Sequence, residues 1–159
     1  MIYEPEKRIS DRALTVWRIS GALQSIFTLL LVAGVVSLTI IFDWPSWIIG
    51  VAVLFLMIYC VLMIYLLPQL RWNRWRYEVR DQEIELQYGV FIIKRTLVPM
   101  IRVQHVDTNQ GPLLRKYDLA TVSISTAATV HEIPALQLEE AEELRVIISR
   151  LARVADEDV

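Results

Sequence analysis

Two long apolar stretches dominate the pattern of hydrophobic and polar positions in this chain. They cover residues 19–42 and 47–67, and neither contains a Lys, Arg, Asp or Glu. An α-helix rises about 1.5 Å per residue and a bilayer core is about 30 Å thick, so about 20 apolar residues cross it. The pattern therefore predicts a transmembrane helical hairpin over residues 19–67, with a turn at residues 43–46 that contains Pro45.

The residues before the hairpin alternate between acidic and basic without a long apolar run. From Ser10 onward a helix is favoured, because Ser10 can cap it and Leu14 and Trp17 fall on one face. Two interpretations of residues 1–18 stay open: a lead-in helix at the cytoplasmic membrane surface, or a frayed tail.

After Pro68 the hydrophobic period changes to two, which is typical of β-strands. Turns are expected at residues 81–82 and 89, a loop at residues 107–112, and a short helical or irregular piece at residues 113–117. The predicted strands cover residues 76–79, 84–88, 91–98, 100–106, 119–126 and 129–133.

An amphipathic helix is predicted over residues 138–154. Leu144, Ile148 and Leu151 contribute to its apolar stripe, while glutamates crowd its first turns and arginines come late, as the helix dipole favours. Strands followed by one helix indicate an α+β domain over residues 71–155, either a curved antiparallel sheet or an open barrel closed by the helix, with an acidic tail at residues 156–159.

Composition and charge narrow the class of protein. The chain has 159 residues, a net charge of −2 and a pI near 5.7, which argues against nucleic-acid binding. Cys60 is the single cysteine, so neither a disulfide framework nor a Cys/His metal cluster can form, and we expect no metal and no cofactor. No small-residue cleavage site follows the first apolar stretch, which indicates an uncleaved helix.

The basic residues predict topology. Lys and Arg flank the hairpin on both sides but are absent from its turn, so we expect a multi-pass protein of the cell membrane with both termini in the cytoplasm. Aromatic and basic side chains near the helix ends suit the headgroup region, where simple anchoring is favoured over specific lipid recognition. The predicted lipid-interface residues are Trp17, Arg18, Trp44, Trp47, Arg71, Trp72, Arg74, Trp75 and Arg76.

A small and polar face on the first apolar helix predicts helix pairing. It carries Gly21, Gln24, Ser25 and Thr28, which allow close approach of another helix. The Gln24 amide needs a partner, either in the second helix or in another subunit. Since neither helix carries an ionisable group, a transport pathway is not favoured.

Several segments together give the chain its resemblance to a known family. They are RYEV (76–79), LQYGVF (86–91), RTLVP (95–99), VQHVD (103–107), QGPL (110–113), LATV (119–122) and IPAL (133–136) before Glu139. In order and spacing, and with the preceding helix pair, the chain resembles the bacterial pleckstrin-homology-like membrane proteins, long grouped as a domain of unknown function.

The resemblance implies a pleckstrin-homology-like split β-barrel capped by a C-terminal helix, and it implies no catalytic site. It also implies a larger sibling membrane protein with related domains as partner, and a role in envelope maintenance or resistance to membrane-active antimicrobial peptides. Asp118 stands where glycine is common, and Asp tolerates the left-handed backbone better than most residues. The turn from Arg80 to Glu83 has cancelling charges, which disfavours a phosphoinositide pocket.

Catalysis is not favoured by the motifs. A Ser-His-Asp set can be written from His105, Asp107 and the strand serines, but no Gly-x-Ser-x-Gly turn surrounds those serines and no phosphate-binding glycine loop is present.

Two non-enzymatic functions remain: a membrane-tethered interaction module, or a sensor or binder of anionic lipid at the inner membrane surface. The predicted partner-binding residues are Asp107, Gln110, Gly111, Thr121, Ser123 and Ser125. The lipid alternative would use Arg71, Arg74, Arg76, Lys94, Arg95, Arg115 and Lys116.

Overall fold

The computed structural model describes residues 5–157, so predictions for residues 1–4 and 158–159 lie outside the described residues. The helices are α1 (Arg12–Ile41), α2 (Trp47–Val61), a π-helical turn (Leu62–Leu66), α3 (Leu67–Arg74), α4 (Pro112–Lys116) and α5 (Leu138–Glu157). The strands are β1 (Lys7–Arg8), β2 (Arg76–Val79), β3 (Glu83–Tyr88), β4 (Lys94–Pro99), β5 (Val103–Asn109), β6 (Leu119–Thr126) and β7 (Val130–Gln137). The chain divides into two compact units, one of which is Trp17–Leu70.

The unit Trp17–Leu70 is helical and turns its apolar side chains outward. Both continuous helices, Arg12–Ile41 and Trp47–Arg74, can cross a bilayer by length and composition. Side chains such as Leu30 and Phe55 are more than half exposed, as lipid-facing residues are. The second helix does not end before Pro68. The π-helical turn Leu62–Leu66 precedes this proline, and such a turn accommodates a residue that cannot donate the regular backbone bond.

The other unit consists of two antiparallel sheets and α5. The first sheet has the strand order β1-β2-β3-β4 and the second has β5-β6-β7. A 3₁₀ turn (Met100–Arg102) leads the chain from one sheet to the other. Ala141, Leu144 and Ile148 form the buried stripe of α5. The core residues that become fully buried include Tyr77, Ile84, Leu86, Leu119, Ile124, Ile133 and Leu136. The predicted pleckstrin-homology-like split barrel with a C-terminal helix is confirmed.

Residues 5–16 belong to this domain, although they precede the two apolar helices. Lys7 and Arg8 pair with Tyr77 and Arg76 of β2, and Ile9 is only 2% exposed. The Trp72 indole N–H also donates a hydrogen bond to the Ser10 carbonyl at 3.2 Å. The helix predicted from Ser10 onward is present as the start of α1, and Ser10 Oγ accepts a hydrogen bond from the Arg12 N–H at 3.3 Å. A frayed tail is wrong for residues 7–9, because β1 pairs with a distant strand and Ile9 is buried.

Several strand boundaries differ from the sequence prediction. The predicted strand at residues 91–98 begins only at Lys94, because residues 89–93 form a loop. The predicted strand at residues 100–106 starts as a 3₁₀ turn and then extends as β5 to Asn109, into the predicted loop. The last strand continues past Pro134 to Gln137, with Ala135 in a left-handed conformation at φ 52°. Predictions for β6 and for a short helix near α4 are confirmed.

Asp118, which stands where the resembled family commonly has glycine, adopts a left-handed conformation. Its φ is 54°, and it follows the C-terminal end of α4. Its backbone carbonyl also accepts a hydrogen bond from the Leu138 N–H at 3.0 Å, which ties this turn to the start of α5. Asp is one of the few residues other than Gly that visit this region of the backbone map.

Candidate functional site

Four of the predicted partner-binding residues lie together on the second sheet. Asp107 on β5 pairs with Ser123 on β6, and the same alternation places Thr121 and Ser125 on that face. Asn109 shares the face, and its side-chain amide donates to Ser123 Oγ at 3.0 Å. We call this surface the outer polar face; its members are His105, Asp107, Asn109, Thr121, Ser123, Ser125, Val130 and Glu132.

The opposite face of the same sheet is turned toward α5. Val122 and Ile124 are fully buried there, and the Thr108 hydroxyl donates to the Glu142 carboxylate of α5 at 2.8 Å. The helix therefore covers one face of the sheet. On the outer polar face, Asp107 and Glu132 are exposed, whereas Ser123 is only 5% exposed. The alternation of polar and apolar residues in β6 predicted that one face of this strand is polar. Asn109 and Glu132 could not be assigned to that face from the sequence, because their place there depends on the register of β5 and β7 with β6.

Gln110 and Gly111 do not belong to the outer polar face. The Gln110 side-chain amide donates to the Leu119 carbonyl at 3.0 Å, which fixes the end of β5 to β6. Gly111 precedes α4 with an ordinary φ of −73°, and a Cβ there would meet nothing within 4 Å. Both residues act in the loop that leads into α4.

The outer polar face brings His105, Asp107 and two serines to one surface without assembling a nucleophile. Within the described residues, no hydrogen bond joins His105 to Asp107 or to either serine, and His105 and Asp107 are exposed. A nucleophilic serine requires a base within about 3 Å that a third group orients. The same part of the chain holds no cluster of three or more metal-ligating side chains. The arrangement suits hydrogen bonding to a partner.

Three of the predicted lipid-interface residues hold the domain together. Trp75 is only 5% exposed and stacks on Tyr88, with ring centroids 5.8 Å apart. The Trp72 indole bonds to Ser10, and the Arg74 guanidinium donates to the Val90 carbonyl. The prediction that Trp75 faces lipid is wrong, because tertiary packing buries its ring.

The remaining interface residues lie in varied surroundings. Trp44 and Trp47 are exposed at the turn between the apolar helices, and Trp44 is close to Phe42 with ring centroids 6.1 Å apart. The Arg18 guanidinium lies 5.6 Å from the centroid of the Tyr65 ring and donates to Gln69 at 3.4 Å. Trp17 is half-buried. Partial burial lowers the pKa of Arg71, and the negative charge of Glu132 opposes this shift. Arg76 pairs with Arg8 and Gln87 in the first sheet.

Two of the four predicted helix-pairing residues lie inside the helical unit. Gly21 and Ser25 are buried, and a Cβ at Gly21 would overlap the Met63 carbonyl oxygen of the second helix. The Ser25 hydroxyl donates a hydrogen bond to the Gly21 carbonyl at 2.8 Å. Thr28 is half-buried, whereas Gln24 is exposed. Thr39, also buried, was not predicted for pairing.

Gly21→Ala is expected to destabilise the helix pair by about 1–3 kcal/mol, since the added methyl forces the helices apart. Thermal unfolding of the full chain in mild detergent measures the change. Gly34→Ala is the matched control, because a Cβ there meets nothing within 4 Å and Ala favours the helix. Equal melting of the two variants would contradict a tight contact at Gly21.

A buried phenol links β2 to α5. The Tyr77 side chain is fully buried, and its hydroxyl donates to Glu140 Oε1 at 2.7 Å. Burial, together with this hydrogen bond and the negative charge of Glu140, raises the pKa of Tyr77. The neutral phenol is therefore the form that the folded domain holds.

Tyr77→Phe is expected to lower the free energy of unfolding by about 1–2 kcal/mol near neutral pH, because Glu140 loses its donor. An unfolded tyrosine titrates at about pH 10, so the stability contributed by Tyr77 is complete below that pH and declines as the pH rises above it. Urea unfolding of the full chain in detergent is measured at pH 7 and above about pH 10. The difference in free energy of unfolding between wild type and Tyr77→Phe should be smaller at the alkaline pH. A constant difference would contradict the linkage.

The turn between β2 and β3 offers no spare positive charge. The Arg80 guanidinium contacts Glu78 at 3.0 Å, Glu83 at 3.3 Å and Glu85 at 3.5 Å. The hydrogen bond to Glu78 and the surrounding carboxylates raise the pKa of this arginine. A phosphate group would have to compete with these carboxylates, in keeping with the cancelling charges of the sequence.

Comparison with known proteins agrees with this fold. A family model described as bacterial PH domain matches residues 22–152. The chain is 52% identical to the UPF0699 transmembrane protein YdbS of Bacillus subtilis (strain 168) over 156 residues, which cover 98% of each chain. It is 29% identical over 91 residues to the UPF0699 transmembrane protein YdbT of the same organism, covering 54% of this chain and 18% of that protein. No solved structure matches the chain significantly. The extent of the family match and the near-complete coverage of YdbS show that this chain belongs to the bacterial PH domain family.

Proposed function

We propose that the chain is a membrane-anchored, non-enzymatic interaction module that acts with a larger membrane protein containing a related domain. The observation that carries the proposal is the outer polar face, where Asp107, Thr121, Ser123 and Ser125 come together on one side of the sheet. Asp107 is exposed there, Thr121 and Ser125 are half-buried, and Ser123 lies buried between them. Hydroxyl and carboxylate groups on a rigid sheet suit hydrogen bonding to a protein. The edge strand β5 also suits addition of a strand, whereas the Ala135 carbonyl of β7 already accepts a hydrogen bond from the Ser10 N–H at 3.3 Å.

The relative YdbT supports the choice of partner class. It is a membrane protein by name, and the stretch related to this chain is only 18% of its length. A protein several times longer with a related domain is the kind of sibling that the family resemblance implies. The proposed setting is the cell envelope, in its maintenance or in resistance to membrane-active antimicrobial peptides.

The shared domain supports a topology with both termini in the cytoplasm. Residues 5–16 and the chain after Arg71 form one compact unit joined by the pairing of β1 with β2. One folded unit cannot lie on both sides of a bilayer, so the two apolar helices cross it as a pair. Lys and Arg on both flanks favour the cytoplasmic side. Reporter fusions at Ser46 and at the C-terminus test this topology; an external C-terminus would overturn it.

Affinity purification of the tagged full chain in mild detergent tests the partner. We expect a stoichiometric larger membrane protein to be recovered from wild-type cells. Asp107→Arg is expected to reduce its recovery at least ~10-fold, since a buried like-charge or unpaired group at an interface costs more than about 1.4 kcal/mol. Asp81→Arg, the same charge reversal at the exposed turn between β2 and β3, should leave recovery unchanged. A clean monomer, or equal loss in both variants, would overturn the proposal.

A further inference from the structure

An exposed apolar loop connects β3 to β4. Its three consecutive large side chains, Phe91, Ile92 and Ile93, are 83%, 82% and 53% exposed. Single exposed apolar residues are ordinary on protein surfaces, but a contiguous run of three is not. These three residues belong neither to the core of the domain nor to its outer polar face, so packing within the domain does not account for their apolar character.

The base of the loop is held in a defined conformation. Gly89 has a φ of 134°, and a Cβ there would overlap the Ile92 carbonyl oxygen, so only glycine fits the turn. The Arg74 guanidinium donates to the Val90 carbonyl on the next residue. Tyr88, which ends β3, stacks on the buried Trp75. The apolar tip is therefore presented by a fixed base.

The topology of the first sheet places this loop at one particular end. All neighbouring strands in the order β1-β2-β3-β4 are antiparallel. The connections β1→β2 and β3→β4 therefore leave the sheet at the same end, and the turn β2→β3 lies at the other. The connection β1→β2 consists of the two apolar helices that can cross a bilayer. The loop thus lies at the end of the sheet where the chain departs for the bilayer and returns from it.

Basic residues follow the apolar tip directly. Lys94 and Arg95 are exposed at the start of β4. The Lys94 ammonium lies 6.0 Å from the centroid of the Tyr88 ring, and Arg95 Nε donates to Gln87 Oε1 at 2.9 Å. Apolar side chains next to cations are the combination that binds the interface of an anionic membrane.

We propose that loop 89–93 inserts Phe91, Ile92 and Ile93 into the bilayer that the apolar helices cross, with Lys94 and Arg95 at anionic headgroups. The chain is then anchored in the membrane by three segments, the two apolar helices and this loop. This insertion limits rotation of the domain at the membrane surface. The proposal does not depend on a protein partner, because its ligand is the bilayer itself.

Depth-dependent fluorescence quenching of the full chain in nanodiscs tests the insertion. Cys60→Ser removes the native thiol, and Ile92→Cys then carries an environment-sensitive dye. In discs of phosphatidylglycerol and phosphatidylcholine, we expect lipids with a spin label on the acyl chain to quench this dye at least ~3-fold more than a dye at Asp81→Cys, at the opposite end of the sheet. Equal quenching at the two positions would overturn the proposal.

A second pair of variants separates insertion from mere proximity. With the dye at Ile93→Cys, adding Phe91→Ser and Ile92→Ser is expected to reduce acyl-chain quenching by about half or more, because transfer of each side chain to lipid is lost. Ile101→Ser, another exposed apolar residue outside the loop, should leave quenching unchanged. Quenching that is unaffected by the serines would overturn insertion. Burial of the dye only after a larger membrane protein is added would also do so, and would assign the loop to a protein contact.

Discussion

Trp75→Ala is expected to destabilise the domain by about 3–5 kcal/mol. The Trp75 ring is 5% exposed and stacks on Tyr88, so its removal leaves a cavity beside the first sheet. The cavity also loosens the base of loop 89–93, since Tyr88 is the last residue of β3. Thermal unfolding of the full chain in detergent, followed by circular dichroism of the strands, measures the effect.

Trp47→Ala is the matched control for this substitution. The Trp47 side chain is 67% exposed at the turn between the apolar helices and lies in the other compact unit. We expect it to leave the unfolding of the domain within about 0.5 kcal/mol of wild type. A Trp75→Ala variant as stable as the control would show that Trp75 is not a core residue and would restore its assignment to the lipid interface.

Elements with a strong local pattern were predictable from the sequence. The apolar helices are specified by length and by the absence of charge, whatever surrounds them. In β6, Val122 and Ile124 alternate with Ser123 and Ser125, and the strand has the predicted bounds. The helix α5 follows from its apolar stripe. Each of these signals depends on residues close together in the chain.

Elements that depend on distant partners were not predictable in the same way. Strand β1 is only Lys7–Arg8, two charged residues with no alternation, and it exists because β2 supplies its hydrogen bonds. The residues of loop 89–93 have strand-like composition. A sequence pattern alone does not distinguish an exposed apolar loop from a buried strand, so this segment was predicted as part of a strand. Strand β7 continues past Pro134 because a bulge absorbs the irregularity opposite β6.

The same distinction applies to the candidate site. Alternation in β6 indicated a polar face, and register added Asp107 and Asn109 to it. Trp72, Arg74 and Trp75 have the composition of an interfacial belt, but burial and bonding to Ser10, Val90 and Tyr88 place them in domain contacts. Composition identifies residues that suit a membrane surface, whereas only the fold determines which of them reach it.

Ile9→Ala is expected to destabilise the domain by about 2–4 kcal/mol. Ile9 is 2% exposed although it precedes the apolar helices, because residues 5–16 are part of the same compact unit as the strands after Arg71. Ile9 directly follows β1, so loss of its packing also weakens the pairing of β1 with β2. Urea unfolding of the full chain in detergent, read from the far-ultraviolet strand signal, provides the measurement.

Ile92→Ala removes the same atoms from a side chain that is 82% exposed and should change the free energy of unfolding by less than about 0.5 kcal/mol in detergent. The contrast between the two isoleucines therefore tests whether the segment before the first apolar helix is built into the domain. If Ile9→Ala were as stable as Ile92→Ala, residues 5–16 would not be held by the domain. Only the distribution of Lys and Arg would then support the proposal that both ends of the helical hairpin lie on one side of the membrane.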